Sequence, residues 1–437
     1  MIKNPIAVVV LLTGLNFINY LDRFIVAAVL PRIQADLGLS NFEGGLLATV
    51  FLLGYFVTSP LFGLLGDRMP RKYLIAAGVA TWSIATVCSG LSNSLTTLII
   101  ARAFVGIGEA SYATLAPTII DDISPPNQKG RMLAIFFVAI PIGSAAGYLL
   151  GGFVQKAWGW REAFFIGGGP GVLLALLCLA LDEPKRKLAA AKDATMGAIV
   201  RGLAKIKQYR RGVLGYCAHT ASIGAFAYWA PKFLSARFGD QLQEPFATGV
   251  AVTKEMIEKR DEAILSSANF YFGVITVLAG ALGTVIGGRM ADRALKGLPP
   301  VPPDADESHP ANRQAANAQL YVCAVGVAIA FPLAAAAFLV PNAWMFFALA
   351  GVAEIGLFMS TAPINAILLR TAPAVMRASA MAVAIFAIHL FGDLWSPSLL
   401  GLLNDVLIST VAMMSVPLVF AWSAYIWWPR KREAEEA

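Results

Sequence analysis

The sequence predicts an all-α membrane protein with twelve transmembrane helices in two six-helix bundles. Composition, the lengths of the apolar runs and an internal repeat all favour this fold class. Hydrophobic residues make up 57% of the 437 residues and charged residues only 14%, and the mean hydropathy is +0.66. One water-soluble domain cannot bury that much apolar surface, so we expect the bilayer to act as the solvent.

The apolar runs supply the transmembrane helices in order along the chain. Each crossing needs about 20 predominantly apolar residues. The runs lie near 6–30, 41–65, 73–91, 96–120, 132–154, 162–181, 210–236, 263–288, 315–339, 343–370, 377–404 and 407–428. The first run is longer than the apolar region of a signal peptide and contains Asp22 and Arg23, so we interpret it as helix 1.

The positive charges predict the orientation. With both termini in the cytoplasm, lysines and arginines favour the inner loops by about three to one, as the positive-inside rule requires. This topology and contact with anionic membrane lipids account for the net charge of +7, and we expect no nucleic-acid partner. We therefore predict a multi-pass protein of the cell membrane, monomeric and without cofactor or metal.

A repeated loop divides the chain into halves. Gly63, Asp67 and Arg68 after helix 2 recur with the same spacing as Gly288, Asp292 and Arg293 after helix 8. The predicted domains are an N-terminal bundle (1–181), a linker (182–209) and a C-terminal bundle (210–437), in parallel orientation because six helices return the chain to its starting side. We interpret the two loops, with Arg71, as a cytoplasmic latch; ordinary topology signalling is the alternative.

The linker contains a short amphipathic pattern. Its apolar side chains follow helical spacing at Met196, Ile199, Val200, Leu203 and Ile206. This predicts an interfacial helix on the inner leaflet that joins the two bundles. A docking site for a calmodulin-like partner is the alternative.

Helices 1 and 4 contain charged and polar residues that lipid would reject. They are Asn16, Asn19, Tyr20, Asp22 and Arg23 in helix 1, and Arg102 and Glu109 in helix 4. A charge at the bilayer centre costs about 2.5 to 3.5 kcal/mol on insertion scales, so these groups need partners or water. We expect them to line a central aqueous cavity.

Two ion pairs are possible among these charges. At matching depths, Asp22 can reach Arg102 or Arg23 can reach Glu109. Our hypothesis is that protonation of Asp22 or Glu109 exchanges the partners and shifts the protein between inward-open and outward-open forms. The alternative is a permanent ion pair that holds helices 1 and 4 together.

The second half has fewer polar insertions. His389 and Asp393, four residues apart in helix 11, favour a hydrogen-bonded pair facing the cavity or helix 10; a metal site would need a third ligand. The rest of this half is aromatic and apolar, which suits the tail of an amphipathic substrate unless the rings only pack. The aromatic residues are Phe226, Tyr228, Trp229, Phe233, Phe346, Phe347, Phe358, Phe386 and Trp395.

Helix 5 carries Gly143, Gly147 and Gly151 on one face. Glycines at this spacing permit close backbone contact between membrane helices. We expect this face to pack against a helix of the other half.

The repeated Gly-x-x-x-Asp-Arg loop and the twelve-helix layout resemble the major facilitator superfamily. The segments Asn19-Tyr20-Leu21-Asp22-Arg23 and Gly106-Ile107-Gly108-Glu109-Ala110-Ser111-Tyr112 are similar to those of spinster lipid transporters, in a bacterial-type form. The resemblance implies transport of lysophospholipids or sphingoid phosphates, with Asp22, Arg23, Arg102 and Glu109 as cavity and coupling residues. We place Tyr112 with the cavity residues. The charged helix 1 motif also resembles that of organic-anion:proton symporters.

These observations predict a secondary active transporter working by alternating access, proton-coupled, for an anionic amphipathic lipid. The alternatives within the superfamily are a proton-coupled symporter of a small organic anion and a drug-type exporter. A receptor without transport is a third class. The sequence has no HExxH or GxSxG motif of an enzyme and no P-loop of an ATP-driven pump.

Overall fold

The structure is a computed structural model that describes residues 4–123, 129–182, 196–246, 252–299, 309–372 and 377–429. Helices account for most of these residues. In the first half they are α1 (Pro5–Leu37), α2 (Asn41–Arg68), α3 (Arg71–Gly90), α4 (Leu95–Ile123), α5 (Lys129–Ala157) and α6 (Trp160–Leu179). They coincide with the six apolar runs predicted there and extend several of them by a turn or more.

Local sequence explains the short connection between α1 and α2. Gly38 has φ +66° and ends α1 in the left-handed conformation, where a side chain would be strained. Ser40 then begins α2 with a capping box, because its hydroxyl accepts from the Glu43 amide while the Glu43 carboxylate accepts from the Ser40 amide.

In the second half the crossings are more interrupted than predicted. The helices are α7 (Met196–Lys205), α8 (Lys207–Leu242), α9 (Lys254–Leu295), α10 (Pro310–Leu339), α11 (Ala343–Phe358), α12 (Thr361–Arg370), α13 (Arg377–Ile388), α14 (Ser396–Val406), α15 (Ser409–Met413) and α16 (Ser415–Trp427), with a π-helix at His389–Asp393 between α13 and α14. The continuous runs predicted for helices 10, 11 and 12 are each divided. At helix 11 the cause is one extra residue per turn in the π-helix.

Eleven helical spans among the described residues are long and apolar enough to cross a bilayer. The prediction counted twelve crossings. The predicted crossing outside the eleven is α8, whose 36 residues include several polar and charged side chains. α9 has 42 residues, the greatest length of any described helix.

Internal contacts divide the chain into two compact units. Unit 1 comprises Met1–Leu188, Ala227–Val277 and Pro397–Val406, and unit 2 comprises Ala189–Phe226, Leu278–Ser396 and Leu407–Ala437. In unit 1, α1 packs mainly on α5, α2 on α4, and α3 on α4 and α6. In unit 2, α10 packs mainly on α11 and α16. Unit 1 therefore contains the first six helices together with parts of α8, α9 and α14.

The linker helix forms, and part of its apolar face packs against protein, whereas Val200 is exposed; its position at the inner leaflet stays a prediction. Ile199 and Leu203 of α7 are buried in a cluster of unit 2 that includes Tyr209, Leu368 and Ala384. Burial against protein removes these apolar side chains from water, as burial at the membrane interface would. Residues 183–195 of the predicted linker lie outside the described residues.

The glycine face of α5 packs within the first half, which corrects the prediction of a contact with the other half. A methyl group at Gly147 would lie 2.5 Å from the Leu21 carbonyl oxygen, and Gly143 and Gly151 meet α1 in the same way. Their neighbour Gly152 instead faces Asn269 of α9. The three predicted glycines thus allow α1 and α5 to approach closely.

Candidate functional site

One of the two predicted ion pairs is formed. Arg23 of α1 donates from Nη2 to Oε2 of Glu109 in α4 at 2.6 Å. Glu109 is fully buried, whereas 19% of the Arg23 side-chain surface is exposed. The Arg23 guanidinium also lies over the rings of Tyr20, Phe51 and Tyr55, at 4.8, 5.0 and 5.5 Å from their centroids. Aromatic faces stabilise a desolvated cation, so this pair is held from both sides.

Asp22 does not hydrogen-bond to Arg102 as the other predicted pair requires. Its Oδ2 accepts a 2.6 Å hydrogen bond from Thr86 Oγ1 of α3. Its Oδ1 is buried and has no hydrogen-bond partner among the described residues. Asp22 is therefore a fully buried carboxyl with one neutral donor.

Arg102 is the second unusual group. Only 2% of it is exposed, and its Nε and Nη1 atoms have no hydrogen-bond partner within the described part of the chain. Its guanidinium lies 4.9 Å from the centroid of Phe51, the ring that Arg23 also covers. One phenyl ring therefore contacts both cations. A buried guanidinium with unpaired donors is expensive, so this position favours an additional anionic or hydrogen-bonding partner.

The expected aqueous cavity around the four charges is not observed in this conformation. No more than 2% of the surface is exposed at Asp22, Arg102 or Glu109, and among the four charges only Arg23 keeps appreciable exposure. Formally two positive and two negative charges balance. The group is neutral as a whole but contains one bonded pair and two charges not bonded to each other, an arrangement in which partners can exchange.

The polar residues predicted to line a cavity from helix 1 contact different neighbouring helices. Asn16 is buried and donates to the Phe136 carbonyl of α5, so it does not face a cavity. The Asn19 amide lies close to Glu109 without forming a hydrogen bond of ordinary geometry. Tyr112 is also packed rather than cavity-lining: it is fully buried, donates to the Leu12 carbonyl and contacts Trp82 at 5.5 Å between ring centroids.

His389 and Asp393 form the predicted hydrogen-bonded pair. The Nδ1 atom lies 3.0 Å from Oδ1 and 3.1 Å from Oδ2 of Asp393. The pair occupies the π-helix, and Asp393 packs against Gly224 of α8, where a methyl group would lie 2.8 Å from the Asp393 Cβ. That the pair faces the cavity or helix 10 stays a prediction.

Most of the predicted aromatic wall is core. Tyr228, Trp229, Phe233, Phe346 and Phe347 are each less than 9% exposed. Phe386 and Trp395 are exposed, at 44% and 59%. The aromatic residues therefore give little support to a substrate-binding surface, because packing already explains most of them.

The predicted latch residues behave differently in the two halves. Arg71 is buried and donates to Asp122 Oδ2 at 2.7 Å and to Thr118 at 2.8 Å. Asp292 and Arg293 are exposed at the end of α9, and a methyl group at Gly288 would meet nothing within 4 Å. A methyl group at Gly63 would contact only Thr114, at 4.0 Å. The side chains of Asp67 and Arg68 lie outside the part of the chain that the structure describes.

Two residues of the site had no sequence signal. Thr86 binds Asp22, but a threonine in a membrane helix is ordinary and its spacing to Asp22 indicates nothing. Phe51 contacts both arginines, yet it is one apolar residue within an apolar run. His219 of unit 2 was also missed; it is buried, with Nε2 3.2 Å from Ser360 Oγ.

Comparison with known proteins decides the family. Residues 12–392 match the family model described as Major Facilitator Superfamily. Protein spinster homolog 1 of Homo sapiens is 34% identical over 414 residues, which cover 91% of this chain and 72% of that protein. The chain belongs to the spinster family of the Major Facilitator Superfamily. Protein spinster of Drosophila melanogaster is 31% identical over 406 residues, and there the chain spans 62% of the relative's length.

Solved structures agree with this assignment at the level of the fold. The crystal structure of a bacterial homolog to the human lysosomal transporter Spinster, inward-facing and unoccupied, matches with a TM-score of 0.79 at 21% identity, covering 100% of this chain and 99% of that one. A D-xylose-proton symporter matches with a TM-score of 0.72 at 18% identity, over 97% of each chain. The spinster-type protein is thus a multi-pass membrane transporter and not an enzyme, which confirms the predicted fold and class.

Proposed function

We propose that this transporter moves an anionic amphipathic lipid, of the lysophospholipid or sphingoid-phosphate type, by proton-coupled alternating access between the predicted bundles 1–181 and 210–437. The observation that carries the proposal is the asymmetry of the four buried charges. Arg23 and Glu109 are bonded at 2.6 Å, while Asp22 and Arg102 are buried nearby without a bond to each other.

The proton step follows from which bonds a proton would break. Adding a proton to Asp22 breaks no ion pair, since its bonded partner is the Thr86 hydroxyl, which can also accept. Adding one to Glu109 removes the charge that holds Arg23. We therefore assign Asp22 as the proton site of this conformation and Glu109 as the site used when Arg23 changes partner.

The anion step follows from Arg102. Its unpaired Nε and Nη1 atoms can donate hydrogen bonds to the deprotonated Asp22 or to the anionic group of a substrate. Competition between the two would couple proton binding to substrate binding, because each ligand of Arg102 displaces the other. Phosphate and carboxylate both fit a guanidinium, so the same site also serves the second candidate, a small organic anion.

Membership of the spinster family favours the lipid over the small anion, because the resemblance of the helix 1 and helix 4 segments to spinster lipid transporters implies lipid substrates. The mostly buried aromatic residues add no separate support to either candidate. We also propose that the protein is a monomer of the cell membrane. The distribution of lysine and arginine in the loops supports a cytoplasmic position for both termini.

Flux into proteoliposomes under an imposed pH gradient tests the proposal. A labelled lysophospholipid and a labelled sugar acid are offered separately to the parent protein, Asp22→Asn, Glu109→Gln and Arg102→Met. We expect lysophospholipid flux that follows the gradient in the parent, loses its dependence on the gradient in the Asp22 and Glu109 variants, and disappears in the Arg102 variant.

A variant outside the charge cluster serves as the control. Lys259→Met removes an exposed ion pair with Glu255 and should transport as the parent does. Flux of the sugar acid without the lysophospholipid would select the second candidate. Gradient-dependent flux that survives both Asp22→Asn and Glu109→Gln would eliminate the proposed coupling.

A further inference from the structure

Within unit 1, the ends of α1, α2 and α14 meet α8 at the α1–α2 connection. Asp405 of α14 accepts from the backbone amides of Asn41 at 3.0 Å and Phe42 at 2.8 Å, the first residues of α2. It also accepts from Asn41 Nδ2 at 2.7 Å. A carboxylate at this position satisfies amides that have no partner inside the helix and is stabilised by the positive end of the helix dipole.

A lysine completes the cluster from the other side of Asn41. Lys232 of α8 donates from Nζ to Asn41 Oδ1 and to Gln34 Oε1 of α1, both at 2.6 Å. The Asn41 amide thus accepts from a cation and donates to an anion. Each charge polarises the amide in the direction that strengthens the other hydrogen bond. We call Gln34, Asn41, Lys232 and Asp405 the clamp.

Two glycines allow the backbones to touch beside the clamp. A methyl group at Gly45 of α2 would lie 2.6 Å from the Pro397 carbonyl oxygen, and one at Gly401 of α14 would overlap the Asn41 backbone. One turn beyond Gly45 in α2, the Oγ1 atom of Thr49 lies 2.7 Å from the Oγ atom of Ser398 in α14. Close packing here therefore has no room for even one added carbon atom.

We propose that the clamp holds the α1–α2 end of the transporter closed, and that Lys232 and Asp405 set how long it stays closed. This inference rests on the alternating access proposed above, in which this end must open once per cycle. Its contacts are polar and Asp405 is exposed at the rim, so water can replace them when the helices separate. An apolar seal of the same area would have no such replacement.

Cross-linking tests the clamp without any substrate. In a Cys88→Ser background, Thr49→Cys and Ser398→Cys place two thiols where the hydroxyls now touch, and the rate of disulfide formation under copper-phenanthroline reports closure. Adding Asp405→Asn or Lys232→Met should slow cross-linking by at least about tenfold, because each removes more than one charge-assisted hydrogen bond and the loss of one is worth about tenfold. Rates are compared on protein that elutes from gel filtration as the parent does.

Glycine variants give a second, independent measurement of closure. Gly401→Ala should slow cross-linking by a similar factor, whereas Gly14→Ala, where a methyl meets nothing within 4 Å, should leave it unchanged. Lys259→Met controls for loss of an exposed charge. Parental cross-linking rates in Asp405→Asn, Lys232→Met and Gly401→Ala would overturn the clamp. Absence of lysophospholipid flux with the predicted cross-linking changes would refute the proposed substrate and leave the clamp standing.

Discussion

Removing Arg23 gives the sharpest measure of the buried charge cluster. In Arg23→Met, the fully buried Glu109 loses its 2.6 Å partner and must either stay charged, with Arg102 and the Asn19 amide nearby, or take up a proton, and both outcomes cost free energy. Breaking a buried pair from one side costs about 3–5 kcal/mol. For a chain of this length that corresponds to a fall in melting temperature of roughly 3–5 °C, from about 2 cal/mol/K of unfolding entropy per residue.

The double variant separates loss of the pair from loss of packing. In Arg23→Met with Glu109→Gln neither member of this pair remains as an unpaired charge, so most of the stability should return. The matched control is Arg161→Met, which breaks a pair with Asp36 of the same 2.6 Å length but 32% and 47% exposed. That pair should be worth less than about 1 kcal/mol.

Thermal unfolding in detergent, followed by intrinsic fluorescence, measures all four proteins under one condition. The reasoning is refuted if Arg23→Met melts with the parent, or if the double variant is no more stable than Arg23→Met. If Arg161→Met lowered the melting temperature as much as Arg23→Met does, that would also contradict the reasoning, because burial would then not determine the free energy lost with an ion pair.

Three further substitutions are expected to change stability by distinct causes, each read by the same melting assay. Thr86→Val removes the one bonded donor of a buried carboxylate and should cost about 1–3 kcal/mol, while Thr81→Val, which removes a bond within its own helix, should cost less. Gly147→Ala should cost about 1–3 kcal/mol by overpacking, whereas Gly169→Ala, with open space around it, should be neutral or stabilising. Arg211→Met should cost about 1.5–3 kcal/mol, since the guanidinium donates to three consecutive carbonyls at the end of α16, and equal stability would contradict that role.

The order of the helices could be predicted because the bilayer requires long apolar runs, and eleven of the twelve predicted crossings correspond to described spans long and apolar enough to cross it. The division of the later crossings could not. Within the π-helix at His389–Asp393, Gly392 packs close to the Cys217 carbonyl, a contact that no local sequence pattern indicates. The low hydropathy of α8 likewise reflects polar residues whose partners lie far along the chain.

The charged residues of the site were predictable in identity but only partly in pairing. The depths of Arg23 and Glu109 on antiparallel helices predicted their contact, and the structure forms it. The bond between Asp22 and Thr86 depends on the rotation of α3, which spacing in one helix does not reveal. The α5 glycines show the same limit: their spacing predicts a close helix contact, and α1 as the partner emerges only from the packing.

The length of α9 has a practical consequence. Its 42 residues extend about 63 Å at 1.5 Å per residue, roughly twice the hydrocarbon thickness of a bilayer. The first turns, from Lys254 to Glu262, are charged and largely exposed. An antibody fragment bound to those turns would be attached rigidly to a membrane-crossing helix, and would supply the extra mass that electron microscopy needs to align images of a transporter this small.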